Sequence, residues 1–254
     1  MALWLFLIAG LCAQLIDGSL GMGFGVISST ILVGLGVAPA MASASVHTAE
    51  IATTLASGTS HFRFGNVKKE WLLPLVVPGI VGGTLGAAFL SSIPGGAIKP
   101  YVAGFLLIMG LVMIYRFTLH KVKIAPSGKV SYKKMVGLGF IAAFFDAMGG
   151  GGWGPIATPG LVLTENEEPR KVIGTVNIAE FFVTIAEAVT FFLILGSKSY
   201  NWGSIGMIAL GGVCMAPVAA WLTKKMPSRV LGLVAGIMVV LYNIRTLLVW
   251  AGWI

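Results

Sequence analysis

Six stretches of the chain, residues 40–62, 71–90, 99–118, 171–196, 203–222 and 230–252, are apolar over roughly the 20 residues that a helix needs to cross a bilayer. Two more, 2–37 and 135–163, are equally apolar but are interrupted near their centres by "GSLGMGFG" and "GGGGWG". Each glycine weakens a helix by about 1 kcal/mol relative to alanine, so neither segment reads as one continuous helix. Hydrophobic residues make up 57% of the chain and charged residues 10%, against about one quarter charged in soluble domains. The stretches are too long for barrel strands. An all-α polytopic membrane protein remains, with the bilayer as its first partner.

The net charge of +8 would suggest nucleic acid in a soluble protein; here it places lysine and arginine in cytoplasmic loops, and no nucleic-acid partner is expected. Cys12 and Cys214 both sit in apolar segments, so no disulfide framework, metal cluster or cofactor is indicated. The apolar N-terminus lacks the basic region of a signal peptide and is read as mature structure.

The two interrupted segments are related. At an offset of 129 residues Asp17, Gly21, Gly23 and Gly25 meet Asp146, Gly150, Gly152 and Gly154; at 130, Pro39, Glu50, Thr54 and Gly82 meet Pro169, Glu180, Thr184 and Gly212. Acids and prolines are scarce in this chain, so their coincidence marks two homologous halves, 1–119 and 135–254, joined by a basic linker at 120–134.

Loop charge orients them. If each interrupted segment crosses the membrane once, lysine and arginine divide ten against six between the two sides, Arg245 aside. If each dips in and returns, the division is fourteen against two, the two being Lys99 and Lys198. The positive-inside rule selects the second arrangement. The expected fold is therefore an inverted repeat, each half a glycine-broken re-entrant helical hairpin (2–37, 135–163) followed by three spanning helices, with both termini outside.

Irregular backbone at membrane depth must be buried in protein or line a polar cavity. Glycine turns there let a ligand approach the backbone, and the helix beginning beyond each turn points N–H groups at the gap, which suits an anion. Ser19, Gly21, Gly23, Ser28, Ser29, Gly150, Gly151, Gly152 and Thr158 are the candidate contacts. Alternatively the glycines serve close helix packing, the simpler reading for Gly82 and Gly83. Ser43, His47, Glu50, Thr54, Ser57 and His61 share an arc of about 80° on one helix. In the second half Asn177, Glu180, Thr184 and Glu187 fall on a similar arc. A mid-bilayer acid costs at least about 2.5 to 3.5 kcal/mol, which makes Glu50 and Glu180, with His47 and Asn177, candidates for substrate contact or proton coupling. Asp17, Asp146, Thr54, Thr184 and Glu187 are coupling or structural candidates, the aspartates as caps on orphan N–H groups. His61, beside Arg63, reads as solvated, as does "TENEEPRK".

The segments "DGSLGMGFGVISSTILVGLGVAPAMASASVHTAE" and "FFDAMGGGGWGPIATPGLVLTENEEPRKVIGTVNIAEFF" resemble the sulfite exporter TauE/SafE family of prokaryotic and plant membrane proteins, over essentially the whole chain. The resemblance implies a secondary transporter of the inner membrane, and an exporter, for a small sulfur-containing anion such as sulfite, sulfoacetate or a related organosulfonate. With no nucleotide-binding loop in the chain, a proton or Na+ gradient is the expected drive. Three rival readings stay open at this point: a cation transporter using Asp17, Glu50, Asp146 and Glu180, an intramembrane aspartyl protease built on Asp17 and Asp146, and a membrane scaffold.

Overall fold

A computed structural model describes residues 3–119, 131–164, 168–222 and 228–253. Ten α-helices account for most of them: α1 (Leu3–Leu20), α2 (Phe24–Gly34), α3 (Pro39–Arg63), α4 (Leu72–Ser92), α5 (Gly95–Leu119), α6 (Tyr132–Gly149), α7 (Trp153–Thr164), α8 (Pro169–Leu195), α9 (Trp202–Leu222) and α10 (Ser228–Trp250). Short 3₁₀ turns precede α4 and α9, and there is no strand among the described residues. Residues 120–130, 165–167 and 223–227, which hold most of the expected linker and part of "TENEEPRK", lie outside the described residues.

The six uninterrupted stretches each become one helix. Proline stands at the first position of both α3 and α8, where its missing N–H costs nothing and its fixed φ suits a helix start. Among the described residues five helices are long and apolar enough to cross a membrane, α1, α4, α5, α8 and α9, and the bilayer-length bundle presents a surface rich in leucine, valine, isoleucine and phenylalanine, as lipid contact requires. α3, at 25 residues, is as long as the others but carries the polar stripe.

Both glycine runs break the helix. Gly23, which precedes α2, has φ 131°, a backbone that side chains with a Cβ rarely adopt. Gly150 ends α6 in the left-handed conformation, its N–H returning to the Asp146 carbonyl. The arms differ in length from the half-helices expected. The first arms, α1 and α6, have 18 residues and the second arms, α2 and α7, have 11 and 12. The second hairpin also starts at Tyr132, inside the expected linker, with Ser131 at the cap position but making no side-chain cap bond.

Each pair of arms folds back. Leu35 and Val37, at the end of α2, share the wall of a cavity of about 230 Å³ with Leu3 and Phe6 at the start of α1 and with Ser199 and Asn201 before α9. In the second hairpin Gly160 packs on Leu138. Gly95 meets Ala38 on the first of these faces, and on the other Asn66 meets Gly174, while the Lys68 N–H bonds the Thr175 hydroxyl at 2.9 Å.

The helices pair across the halves. α1 lies along α9 and α6 along α4, while α3 packs on α8 and α5 on α10. Glycines make the first two pairings close: Gly10 faces the Ile208 carbonyl, and Gly82 and Gly86 face those of Phe140 and Phe144. Apolar lipid gives helices no hydrophobic reason to associate, so small residues and the dispersion contacts they permit take that role.

Candidate functional site

The glycine turns meet tip to tip in the middle of this bundle. A Cβ on Gly25 would collide with the Gly150 carbonyl, one on Gly151 would lie 2.5 Å from the Val26 nitrogen, and one on Gly154 would lie 2.5 Å from Met22 Cα. Side chains tie the tips: the Thr158 hydroxyl bonds the Gly21 carbonyl, Ser29 bonds that of Gly150 at 3.3 Å, and Ser43 of α3 bonds that of Ala147 at 2.6 Å. Asp146 Oδ1 accepts the Gly152 N–H at 2.8 Å across its own turn, and Asp17 stands against the Phe24 N–H at the start of α2. Both aspartates thus sit where a helix begins, where a carboxylate offsets orphan N–H groups. The Ser28 hydroxyl is buried without a partner, and Ser19 turns away from the tips to bond the Ala219 carbonyl at 3.3 Å.

Beside the tips the polar faces of α3 and α8 oppose each other. His47, Glu50, Thr54, Ser57, Asn177, Glu180, Thr184 and Glu187 are all buried. Glu50 Oε2 lies 2.9 Å from His47 Nδ1, and Glu187 Oε2 lies 3.1 Å from the same nitrogen. That nitrogen carries at most one proton, so only one carboxylate can accept it. The geometry gives the bond to Glu50, and Glu187 keeps both oxygens without a hydrogen-bond partner. Asp146 Oδ2 and His47 Nε2 are also buried and unpartnered, and ligating atoms of His47, Asp146 and Glu187 fall within 4.8 Å of one another. One imidazolium balances one carboxylate; further ionised acids here require a bound cation, and un-ionised ones require protons. Phe191, itself fully buried, stacks on the imidazole with ring centroids 6.1 Å apart. Apart from Glu180, the rest of the interface is neutral. Ser57 donates to Asn177 Oδ1 at 2.6 Å, Asn177 in turn donates to the Ile173 carbonyl at 3.1 Å, and Thr54 donates to the Glu50 carbonyl. Thr184 has no partner.

Two features escaped the sequence reading. His61, assigned there to a solvated helix end, is fully buried, with Nε2 3.0 Å from the Gly18 carbonyl and Nδ1 3.3 Å from the Asn66 amide. The α1 hairpin covers it, which the local neighbour Arg63 could not reveal. Gln14, a lone amide in an apolar helix, is 1% exposed, and neither polar atom has a partner. Its position one turn before Gly18 was the available signal. By contrast "EPRK" behaves as the composition suggests, Arg170 pairing with Glu168 at the exposed start of α8.

An all-helical bundle of membrane-length helices, with a buried polar centre where broken helices meet, defines a multi-pass membrane transporter rather than an enzyme. The chain belongs to the sulfite exporter TauE/SafE family, whose model matches residues 6–246. It is similar to "Probable membrane transporter protein YtnM" of Bacillus subtilis (strain 168), 46% identical over 246 residues that cover 96% of this chain and 82% of the relative. It is also similar to "Probable membrane transporter protein YdhB" of the same organism, 26% identical over 183 residues, 70% of this chain and 73% of that one. No solved structure matches it.

Proposed function

We propose that this transporter exports a small sulfur-containing anion, sulfite, sulfoacetate or a related organosulfonate, across the inner membrane by alternating access, driven by a proton or Na+ gradient. The single observation that carries the reading is the meeting of two broken hairpins beside two opposed polar helices, an interior in which backbone N–H groups and acids face a common centre. The family's name supplies the sulfur chemistry. His47, Glu50, Glu187 and Asp146 hold the coupling proton or cation, and the glycine turns, with Ser28, Ser29, Thr158, Asn177 and Glu180, face the anion.

The halves are inverted repeats in this proposal, and each hairpin re-enters on the side it came from. Supporting that, both second arms return beside the starts of their first arms. The face holding the end of α3 and the start of α6 carries Arg63, Lys68, Lys69, Lys133, Lys134, Arg170 and Lys171, whereas Lys99 and Lys198 lie toward the other. The basic face is cytoplasmic and both termini are outside. Cysteines placed at the exposed residues 70 and 168 should then be labelled from the same side; labelling from opposite sides removes the re-entrant hairpins.

Flux into vesicles tests the transport. Saturable exchange of sulfite or sulfoacetate, unchanged by added metal ions, is the expected result. A second reading, cation transport, is favoured by the convergence of His47, Asp146 and Glu187, since imidazole and carboxylate together suit a divalent transition metal. Metal flux without anion flux would replace the first reading with the second.

A further inference from the structure

A buried amide stands outside the coupling cluster. Gln14 lies on α1 with both side-chain atoms buried and unpaired. Its Nε2 is 3.1 Å, and the Ser57 hydroxyl 3.6 Å, from the point a Cβ on Gly18 would occupy, so both groups converge over that glycine. Ser57 is bonded to Asn177, and His61 closes the same stretch of α1 from the Gly18 carbonyl. Three helices, α1, α3 and α8, thus bring uncharged polar side chains to one point. The acids nearest along these helices are Asp17, which faces the start of α2, and Glu180, one turn from Asn177.

A glutamine amide offers two N–H donors, and leaving them unpaired inside a membrane protein is costly. Packing does not demand the amide. At the position 129 residues later the second half has Ala143, also fully buried. The same offsets replace the Ser57–Asn177 pair by Glu187–His47 and His61 by Phe191. By the same offsets Glu180 and Asp17 answer to Glu50 and Asp146, so both copies keep two acids, and the first carries neutral donors where the second carries Glu187 and His47.

We propose that the Gln14 amide, with the remaining Asn177 N–H and with the Ser57 hydroxyl once it turns from Asn177 Oδ1, is the loading site for the anion, donating to the oxygens of a small oxyanion, while the His47–Glu187 copy takes the cation. The proposal rests on the transport reading above. Hydrogen bonds from neutral donors to an anion are charge-assisted and shorter than those between neutral groups, and they leave no net positive charge to trap the substrate when it is absent. Gly18 packs against Ala219 of α9, so loading requires that contact to open.

The test uses the full chain, purified and in vesicles, as wild type, Gln14→Ala (the residue of the second half) and Gln14→Glu (the same size, repelling an anion). Each variant is first shown to unfold cooperatively, and the one that does carries the test. Thermal stabilisation by sulfite, sulfoacetate, sulfate, thiosulfate and acetate is measured, then the half-saturating concentration for exchange. The expected result is a rise of at least about tenfold in Gln14→Ala, the equivalent of about 1.4 kcal/mol, and loss of stabilisation in Gln14→Glu. Equal stabilisation and equal half-saturation in wild type and variants overturn the loading site while leaving anion transport standing. Acetate stabilising wild type but not the variants, with no response to the sulfur anions, removes the sulfur substrate and keeps the site. Failure of every anion to stabilise wild type or to exchange removes both.

Discussion

The α3–α8 interface contains one pairing twice, in two chemical versions. Ser57 and Asn177 hold each other by a 2.6 Å hydrogen bond with Asn177 further anchored to its own helix. The positions related to them by the 130-residue offset are Glu187 and His47, which come within 3.1 Å but leave Glu187 without a hydrogen bond. The neutral version pairs its two side chains with each other, and Glu180 and Asp17 stand at the positions that Glu50 and Asp146 hold beside the other. The ionisable version, with Glu50 and Asp146 beside it, has more acceptors than protons on the one imidazole nitrogen that reaches them. Both share one geometry, but one pairs its side chains within itself and the other leaves Glu187 without a hydrogen bond.

The comparison breaks most visibly if the neutral end is made acidic. Ser57→Glu places an uncompensated carboxylate against Asn177 and should lower stability by about 3 to 5 kcal/mol, read as a lost or strongly lowered thermal transition in detergent. A wild-type melting curve would mean that end is open to water. Glu187→Gln makes the opposite change. Gradient-driven accumulation of substrate should fall by about tenfold or more, corresponding to about 1.4 kcal/mol in rate, while exchange without a gradient persists. Equal loss of both would assign Glu187 to the substrate instead of the coupling step.

Gly83→Ala approaches the same carboxylate from α4, because its Cβ would stand 2.5 Å from Glu187 Oε1. A cost of about 1 to 3 kcal/mol in thermal stability is expected. Ser57→Ala removes only the donor to Asn177 and should cost about 1 kcal/mol. At the small end, Gly137→Ala on α6 meets nothing within 4 Å and should stabilise by about 1 kcal/mol through helix propensity alone. If Gly137→Ala were as damaging as Gly83→Ala, the loss could not be ascribed to the Glu187 carboxylate.

Residue chemistry and spacing made much of this legible. The apolar lengths marked six helices to within a few residues, and the glycine runs marked both breaks, since length and glycine content act locally. The 100° spacing put His47 one turn from Glu50, and the structure joins them at 2.9 Å. Contacts between distant segments were not legible. That Glu187 faces His47, that Gly83 makes room for it, and that His61 is sealed under α1 depend on which helix lies against which, and an apolar chain offers many equivalent choices.

Sequence alone determined that the chain is a bundle of membrane helices with two glycine-broken segments, because hydrophobic length, glycine and proline constrain the backbone wherever they occur. Only the tertiary structure decided that the breaks meet tip to tip and that equivalent positions became a neutral pair at one end and an ionisable one at the other. Hydrogen bonding and charge balance in a buried interior are set by partners more than a hundred residues away, so no local pattern could have assigned them.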